Sequence, residues 1–133
     1  MKSIIRTKPQ KMLLTVNIPQ KQQEQLSEIM SRHGGKALSI SADMGAQKLG
    51  YLLGSGGFEK TDQPPQSIEN PMAVFSGIDG TELNALLGEM RACEIRIDLK
   101  AICTPHNRSW SMKALEQELL SEHRYMNGGK GSE

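Results

Sequence analysis

The 133-residue sequence has few aromatic residues: one tryptophan, two tyrosines and two phenylalanines. Its core must therefore be built from Leu, Ile, Val, Met and Ala, and the eight methionines favour the filling of irregular gaps in that core. Two cysteines are too few for a disulfide scaffold, and Cys93 and Cys103 lack the spacing of metal ligands. We expect both to be buried free thiols.

Long apolar runs and an excess of one charge are also missing. No stretch approaches the about 20 residues of a membrane span, and the N-terminus lacks the apolar core of a secretory signal. With 16 basic and 15 acidic residues, no global field attracts the protein to nucleic acid or to an anionic membrane. We therefore expect a cytoplasmic protein without a membrane partner, for which nucleic acid is a disfavoured partner.

Several motifs of common cofactor and metal sites are missing as well. The sequence contains no G-x-x-x-x-G-K-[ST] loop, no G-x-G-x-x-G after a strand, no C-x-x-C pair and no EF-hand loop. These absences argue against the commonest nucleotide-binding, redox and calcium sites. The sequence predicts no cofactor and no metal site.

What the sequence does contain is one pattern used twice: a strand, a helix, a strand and a helix. The clearer copy covers residues 71–126, and residues 11–54 form a shorter, less regular copy. Residues 55–70, rich in glycine and proline, connect the two copies without regular structure. Residues 11–126 are thus predicted to form a single α/β domain, with a flexible lead-in at 1–10 and a disordered tail at 127–133.

The helices are predicted from their end signals and apolar spacing. Asp79 is placed to cap a helix, and Glu82, three residues on, is placed to reach back to that cap. Ser111 is a candidate cap for the last helix. Two further helices are predicted in the first copy, from about residue 20 to 33 and from residue 42 or 43 to about 53.

The strands differ in their hydrophobic patterns, and the difference predicts their order. Continuous apolar runs at residues 11–18 and 72–75 are typical of central strands, whereas alternation at 37–41 and 97–104 is typical of edge strands. With right-handed crossovers, these patterns favour a four-stranded, mostly parallel sheet of order 2-1-3-4 with helices on both faces, as at the start of a flavodoxin-like sheet. The first and last helices would then share one face. A ferredoxin-like α+β fold is the alternative.

The candidate site follows from this parallel topology. Ligands bind beyond the carboxyl ends of such strands, here where the first and third strands diverge. Helix N-termini, Arg108 and the hydroxyls of Ser76 and Thr104 would hold a phosphate or carboxylate there. The predicted ligand-binding residues are Asn17, Ser76, Gly77, Thr104, His106, Asn107 and Arg108. The competing interpretation is structural, with Thr104, Asn107 and Ser111 satisfying turn and helix-end amides.

These residues support three functional hypotheses. The first is a non-enzymatic binding or regulatory module for a small anionic ligand or a protein partner. The second is a small enzyme that uses His106 on an anionic substrate, although no nucleophile is evident beside it and no catalytic residue is assigned. The third is RNA binding, suggested by the short basic N-terminus and Trp110 but opposed by the small net charge. The oligomeric state and the role of the connector are not specified.

Parts of the sequence also match the pattern of a known family. The shared residues are Leu99-Lys100-Ala101-Ile102-Cys103-Thr104, Asn107, Trp110, Glu118-Leu119 and Glu122-His123. In these residues the second copy resembles an uncharacterised bacterial family, domain of unknown function 3783, and residues 49–54 and 57–58 resemble the segment that precedes the domain in longer members. The resemblance implies an intracellular bacterial protein and supplies no activity, substrate or cofactor.

Overall fold

Four strands and four helices alternate along the described part of the chain, as predicted. The structure, a computed structural model, describes residues 10–131. The elements are β1 (Met12–Val16), α1 (Gln20–Arg32), β2 (Lys36–Ile40), α2 (Leu49–Leu52), β3 (Met72–Ser76), α3 (Gly80–Ala92), β4 (Leu99–Ile102) and α4 (Met112–Gly131). Most of the predicted lead-in lies outside the described residues. The predicted disordered tail, residues 127–133, overlaps the end of α4, which continues to Gly131.

The sheet has the predicted order, β2-β1-β3-β4, with the two continuously apolar strands in its centre. The pairs β1–β2 and β3–β4 are parallel, as predicted. The central pair, β1–β3, is antiparallel, so the sheet is mixed and the flavodoxin-like arrangement is wrong. The ferredoxin-like alternative is also wrong, because α2 separates β2 from β3 along the chain.

The connector explains the reversed direction of β3. The Gly45 amide donates to the Gln66 carbonyl at 2.8 Å, and the Ile68 amide donates to the Ala42 carbonyl at 2.7 Å. These bonds hold the connector beside the segment that leaves β2, and the side chain of Ile68 is buried. The chain therefore enters β3 at the same end of the sheet at which β2 finishes, which makes β3 antiparallel to β1.

The two βαβα copies are related by an approximate two-fold axis normal to the sheet. In β1 and β3, Leu14 pairs with Val74, which is the corresponding residue of the second copy. The backbone repeats as well. Asn17 and its counterpart Gly77 have positive φ values of 61° and 74°, and Gly34 and its counterpart Glu94 have φ values of 78° and 60°. The chain thus contains two copies of one structural unit that are related by internal symmetry.

This symmetry also determines which helices share a face. Leu26 of α1 and Leu86 of α3 lie in one core layer, whereas Leu49 of α2 and Met112 of α4 lie in the other. The prediction that the first and last helices share a face is therefore wrong. Two right-handed βαβ crossovers related by an axis normal to the sheet place α1 and α3 on the same face.

The second helix is much shorter than predicted, because the segment before it makes long-range backbone hydrogen bonds. The Leu49 amide donates to the Trp110 carbonyl at 2.8 Å, and the Met112 amide donates to the Gln47 carbonyl at 2.9 Å. Lys48 and Ser111 form the antiparallel bridge between these bonds. The two copies thus join through symmetric loop segments on the face that carries α2 and α4.

Candidate functional site

The residues predicted to share one rim lie at two opposite ends of the sheet. Ser76, the last residue of β3, pairs with Met12 at the start of β1. Asn17 follows the other end of β1, next to the first residue of β3. The structure therefore does not bring Asn17 together with Ser76 and Gly77, since a shared rim required β1 and β3 to be parallel.

Asn17 has a structural role that its position in the fold explains. Its side-chain amide donates to the carbonyls of Ile68 at 2.9 Å and Asn70 at 3.2 Å. These bonds fasten the end of the connector to the turn after β1. Asparagine adopts a positive φ at a low cost, which suits this turn.

The loop after β4 closes on itself through Thr104 and Asn107. The Thr104 amide donates to Asn107 Oδ1 at 2.8 Å, and the Asn107 amide donates to Thr104 Oγ1 at 3.1 Å. Asn107 Nδ2 also donates to the Ile102 carbonyl at 3.1 Å. These contacts agree with the structural interpretation of the two side chains, in which they satisfy turn amides.

The helix ends predicted to attract an anion do not converge on one site. The chains of β1 and β3 run in opposite directions, so α1 and α3 begin at opposite ends of the sheet. At the start of α4, the Met112 and Lys113 amides donate to carbonyls of the first copy, and the Ala114 amide donates to Ser111 Oγ at 3.0 Å. The predicted Ser111 cap is thus present, and the chain itself satisfies these amides.

His106 and Arg108, the other two predicted site residues, lie in the same loop. The exposed His106 ring meets Trp110 edge to face, with 5.5 Å between ring centroids. Within the described part of the chain, no hydrogen bond of His106 to a nucleophile is present. Arg108 accepts a hydrogen bond from Gly50 through its carbonyl, while its buried Nε lacks a partner among the described residues.

A charged cluster that sequence reasoning missed joins α1 to α3. His33 Nδ1 lies 3.2 Å from Glu82, and its Nε2 contacts Glu89. Lys11 Nζ lies 2.9 Å from the Glu82 carboxylate, and Arg32 binds Glu89. Asp79 caps α3 as predicted, but the Glu82 side chain is used in this cluster rather than for the reciprocal cap. The available signal was the spacing of the two glutamates, which lie two turns apart on one face of a helix.

The same contacts shift the pKa values of the cluster. The hydrogen bond to Glu89, followed by that to Glu82, raises the pKa of His33 above 6.5. The hydrogen bond from Lys11 is the main cause of the lowered pKa of Glu82, and the hydrogen bond from His33 is the main cause of the lowered pKa of Glu89. An imidazole that donates to two carboxylates must carry both ring protons, so the geometry favours charged His33.

We expect the stability of the protein to depend on this cluster within a defined pH window. Because folding raises the pKa of His33, its charged form stabilises the fold fully below pH 6.5. This stabilisation is lost as the pH rises through the folded-state pKa. Because folding lowers the pKa values of Glu82 and Glu89, their ionised forms stabilise the fold fully above pH 4.5. This stabilisation is lost as the pH falls through their folded-state pKa values. The stability difference between wild type and His33→Gln should therefore be largest between about pH 4.5 and 6.5 and shrink in alkali.

Urea unfolding of both proteins across this pH range measures the difference. Lys21→Gln, on the exposed surface of α1, is the control and should give a nearly constant difference. A wild-type advantage over His33→Gln that stays constant from acid to alkali would show that the cluster does not stabilise the fold through His33 charge.

A concave surface lies between α3 and β4. A groove of about 630 Å³ contacts Leu87 and Met90 of α3 and Ile95 and Ile97 of the following connection. Its charged lining residues are Arg91, Glu94, Arg96 and Lys100. A smaller cavity of about 250 Å³ continues it along β4 and shares Leu87 and Lys100 with it. The combined surface, called here the α3–β4 groove, has an apolar floor and a mainly basic rim.

The corresponding surface of the first copy is built differently. There α1 packs on β2, and residues 33–35 suffice to connect them, whereas the connection from α3 to β4 covers residues 93–98. Ser27 and Ser31 occupy the positions of α1 that correspond to Leu87 and Arg91 of α3. The apolar floor and the basic rim are thus specific to the second copy.

Within residues 10–131, no group of three or more His, Cys, Asp or Glu side chains is arranged to hold a metal ion. No helix in that same range is both long and apolar enough to cross a bilayer. Both cysteines are free, but neither is fully buried as predicted: Cys93, at the end of α3, is exposed, and Cys103 is partly buried.

The protein thus has an α/β fold with a mixed four-stranded sheet, built from two copies of a βαβα unit. Residues 71–126, the second copy and the one that carries the groove, match the model of the family described as Domain of unknown function (DUF3783). This match confirms, over residues 71–126, the resemblance that the sequence indicated. Neither the curated proteins nor the solved structures gave a match to the chain.

Proposed function

We propose that this protein is a non-enzymatic cytoplasmic binding module whose α3–β4 groove receives an anionic ligand with an apolar part. The observation that carries the proposal is the composition of the groove, in which an apolar floor lies beside three basic side chains and one acidic side chain. A volume of about 630 Å³ lies within the range of small-molecule sites, about 300–1,000 Å³. The two free cysteines suit a reducing compartment.

The position of the basic residues supports an anionic ligand. Arg91, Arg96 and Lys100 are all exposed at the rim of the groove, and Arg96 also binds the Asp98 carboxylate at 3.1 Å. Lys100 Nζ is held by the Ile97 carbonyl, which keeps its charge beside the apolar floor. A ligand that covers this floor would bring its anionic group close to the rim, where the low dielectric of a partly buried site strengthens the attraction.

The loop at residues 104–108 is a weaker candidate for binding. Its Thr104 and Asn107 groups are engaged with each other, and the backbone of Arg108 is bonded to Gly50. The enzyme hypothesis based on His106 and the RNA-binding hypothesis remain predictions, and no arrangement of the described residues favours either over binding in the groove.

Anilinonaphthalene sulfonate, an aromatic anion, is a suitable probe of the groove. We expect saturable binding by fluorescence titration, weakened at least about tenfold, or about 1.4 kcal/mol, in the double variant Arg91→Glu/Lys100→Glu. The reason is that the variant reverses two charges at the rim and leaves the apolar floor intact. Lys21→Glu on α1 is the matched control, because it reverses a charge on the same face of the sheet away from the groove.

Urea unfolding of each variant should give a single transition, since both altered side chains are exposed. Equal affinity for the wild type and the double variant would refute binding in the groove. An equal loss of affinity for anilinonaphthalene sulfonate in the double variant and in Lys21→Glu would show a general effect of charge instead.

A further inference from the structure

The shape of the α3–β4 groove restricts what can fill it. The two cavities meet at Leu87 and Lys100 and form one surface along β4. β4 covers Leu99–Ile102, so the part of this surface along the strand is about 10 Å long at about 3.3 Å per residue. That length equals about two turns of an α-helix at about 5.4 Å per turn. The outer side is open because β4 is an edge strand, and Ile102 is 48% exposed there.

An additional β-strand is a poor occupant of this edge. β4 covers only Leu99–Ile102, so few backbone groups face outward. The Ile102 carbonyl is already bonded to Asn107 Nδ2 at 3.1 Å. Strand addition depends on a row of free backbone groups, and this edge offers a very short one.

From this geometry we infer that the groove binds an acidic amphipathic helix of a partner protein; the inference rests on the proposed function of the groove. The apolar floor and exposed Ile102 match the apolar stripe of such a helix, whose residues recur at i, i+3, i+4 and i+7. Arg91 and Lys100 match acidic residues that flank the stripe, whereas Arg96 is already paired with Asp98 and Glu94 is the one opposing charge in the lining. A helix beside α3 would cover the part of the sheet face that α3 leaves open.

Three synthetic peptides of equal length test this inference on the full chain. The first has leucine at the helical stripe positions and glutamate elsewhere, the second has lysine in place of glutamate, and the third is the first peptide with its leucines scrambled around the helix. Fluorescence anisotropy of labelled peptides should show at least about tenfold tighter binding of the first peptide than of the other two.

Variants of the chain then locate the binding surface. Ile102→Glu, which places a negative charge in the exposed part of the groove, should weaken binding of the acidic peptide at least about tenfold. Leu38→Glu is the matched control, because Leu38 is the exposed apolar residue of the opposite edge strand, 39% exposed. It should leave the affinity unchanged.

The outcomes separate this inference from the proposed function. Binding of anilinonaphthalene sulfonate in the groove without binding of the acidic peptide overturns the inference and leaves the proposed function in place. Equal affinity for the acidic and lysine peptides, for the acidic and scrambled peptides, or for Ile102→Glu and wild type also overturns it. If neither anilinonaphthalene sulfonate nor the acidic peptide binds in the groove, the proposed function is overturned as well.

Discussion

Replacing Glu116 with alanine is expected to lower the free energy of unfolding by about 3 kcal/mol, close to the cost of breaking a buried charge pair. Glu116 is fully buried on α4 and accepts hydrogen bonds from the amides of Glu69 and Asn70 at 2.9 and 3.0 Å and from Asn70 Nδ2 at 2.8 Å. Lys113 Nζ lies 2.9 Å from its other oxygen. Alanine would leave four donors without their acceptor and would release the end of the connector.

The charge of this carboxyl group supports the expected size of the effect. Burial raises the pKa of Glu116, but the hydrogen bonds from Asn70, Lys113 and the Glu69 backbone lower the pKa by more, and the balance lies below 4.5. Glu116 is therefore ionised at neutral pH, and its contribution is lost as the pH falls through the folded-state pKa.

Urea unfolding monitored by circular dichroism measures the effect. Glu118→Ala is the control, because Glu118 is an exposed glutamate of the same helix. Its free energy of unfolding should stay within about 0.5 kcal/mol of wild type. Equal stability of Glu116→Ala and Glu118→Ala would mean that the Glu116 network does not hold the connector.

Replacing Gly77 with alanine is expected to cost about 2–4 kcal/mol, from left-handed backbone strain and steric overlap. Gly77 has a φ of 74°, and a methyl group on its Cα would overlap the Gln10 carbonyl oxygen. Gly80→Ala is the matched control three residues later, where a methyl group meets no atom within 4 Å. This control should match or slightly exceed the wild-type stability, since alanine favours the helix.

Thermal and urea unfolding of the two variants give the comparison. If Gly77→Ala proves as stable as Gly80→Ala, the turn after β3 does not need a glycine and the backbone account of this position is wrong. The expected result would mean that Gly77, proposed from the sequence as a ligand-binding residue, is needed for its backbone conformation.

The strand order was predictable because it follows from burial. Residues 13–16 and 72–75 are buried on both faces of the sheet, and their continuous apolar sequence shows this directly. Strand direction was not predictable in the same way, because a central strand has the same pattern whether its neighbour is parallel or antiparallel. Here the direction depends on bonds such as that from Gly45 to Gln66, which no periodicity encodes.

The second helix shows how long-range pairing overrides a local pattern. The residues before Leu49 were expected to be helical, yet Gly45 and Gln47 accept backbone hydrogen bonds from the start of α4. These bonds occupy the carbonyls that a longer helix would use. The partner segment lies in the other copy of the unit, so a reading of residues 42–53 alone could not reveal the pairing.

The candidate site was predictable only in part. The structural interpretation of Thr104, Asn107 and Ser111 anticipated their observed hydrogen bonds, because these residue types satisfy turn and helix-end amides. The α3–β4 groove was not predicted, because it depends on the separation of two elements rather than on any motif. Glu116 did leave a signal, since it lies four residues after Met112 on the apolar side of α4.

Ligand binding in the α3–β4 groove is tested by amide NMR spectra recorded during titration with anilinonaphthalene sulfonate, because these spectra locate the binding surface on the full chain. Binding in the α3–β4 groove should give the largest chemical-shift changes along α3 and β4, at Leu87, Arg91, Lys100 and Ile102. Largest changes in the loop at residues 104–108, with the groove amides unmoved, would contradict it.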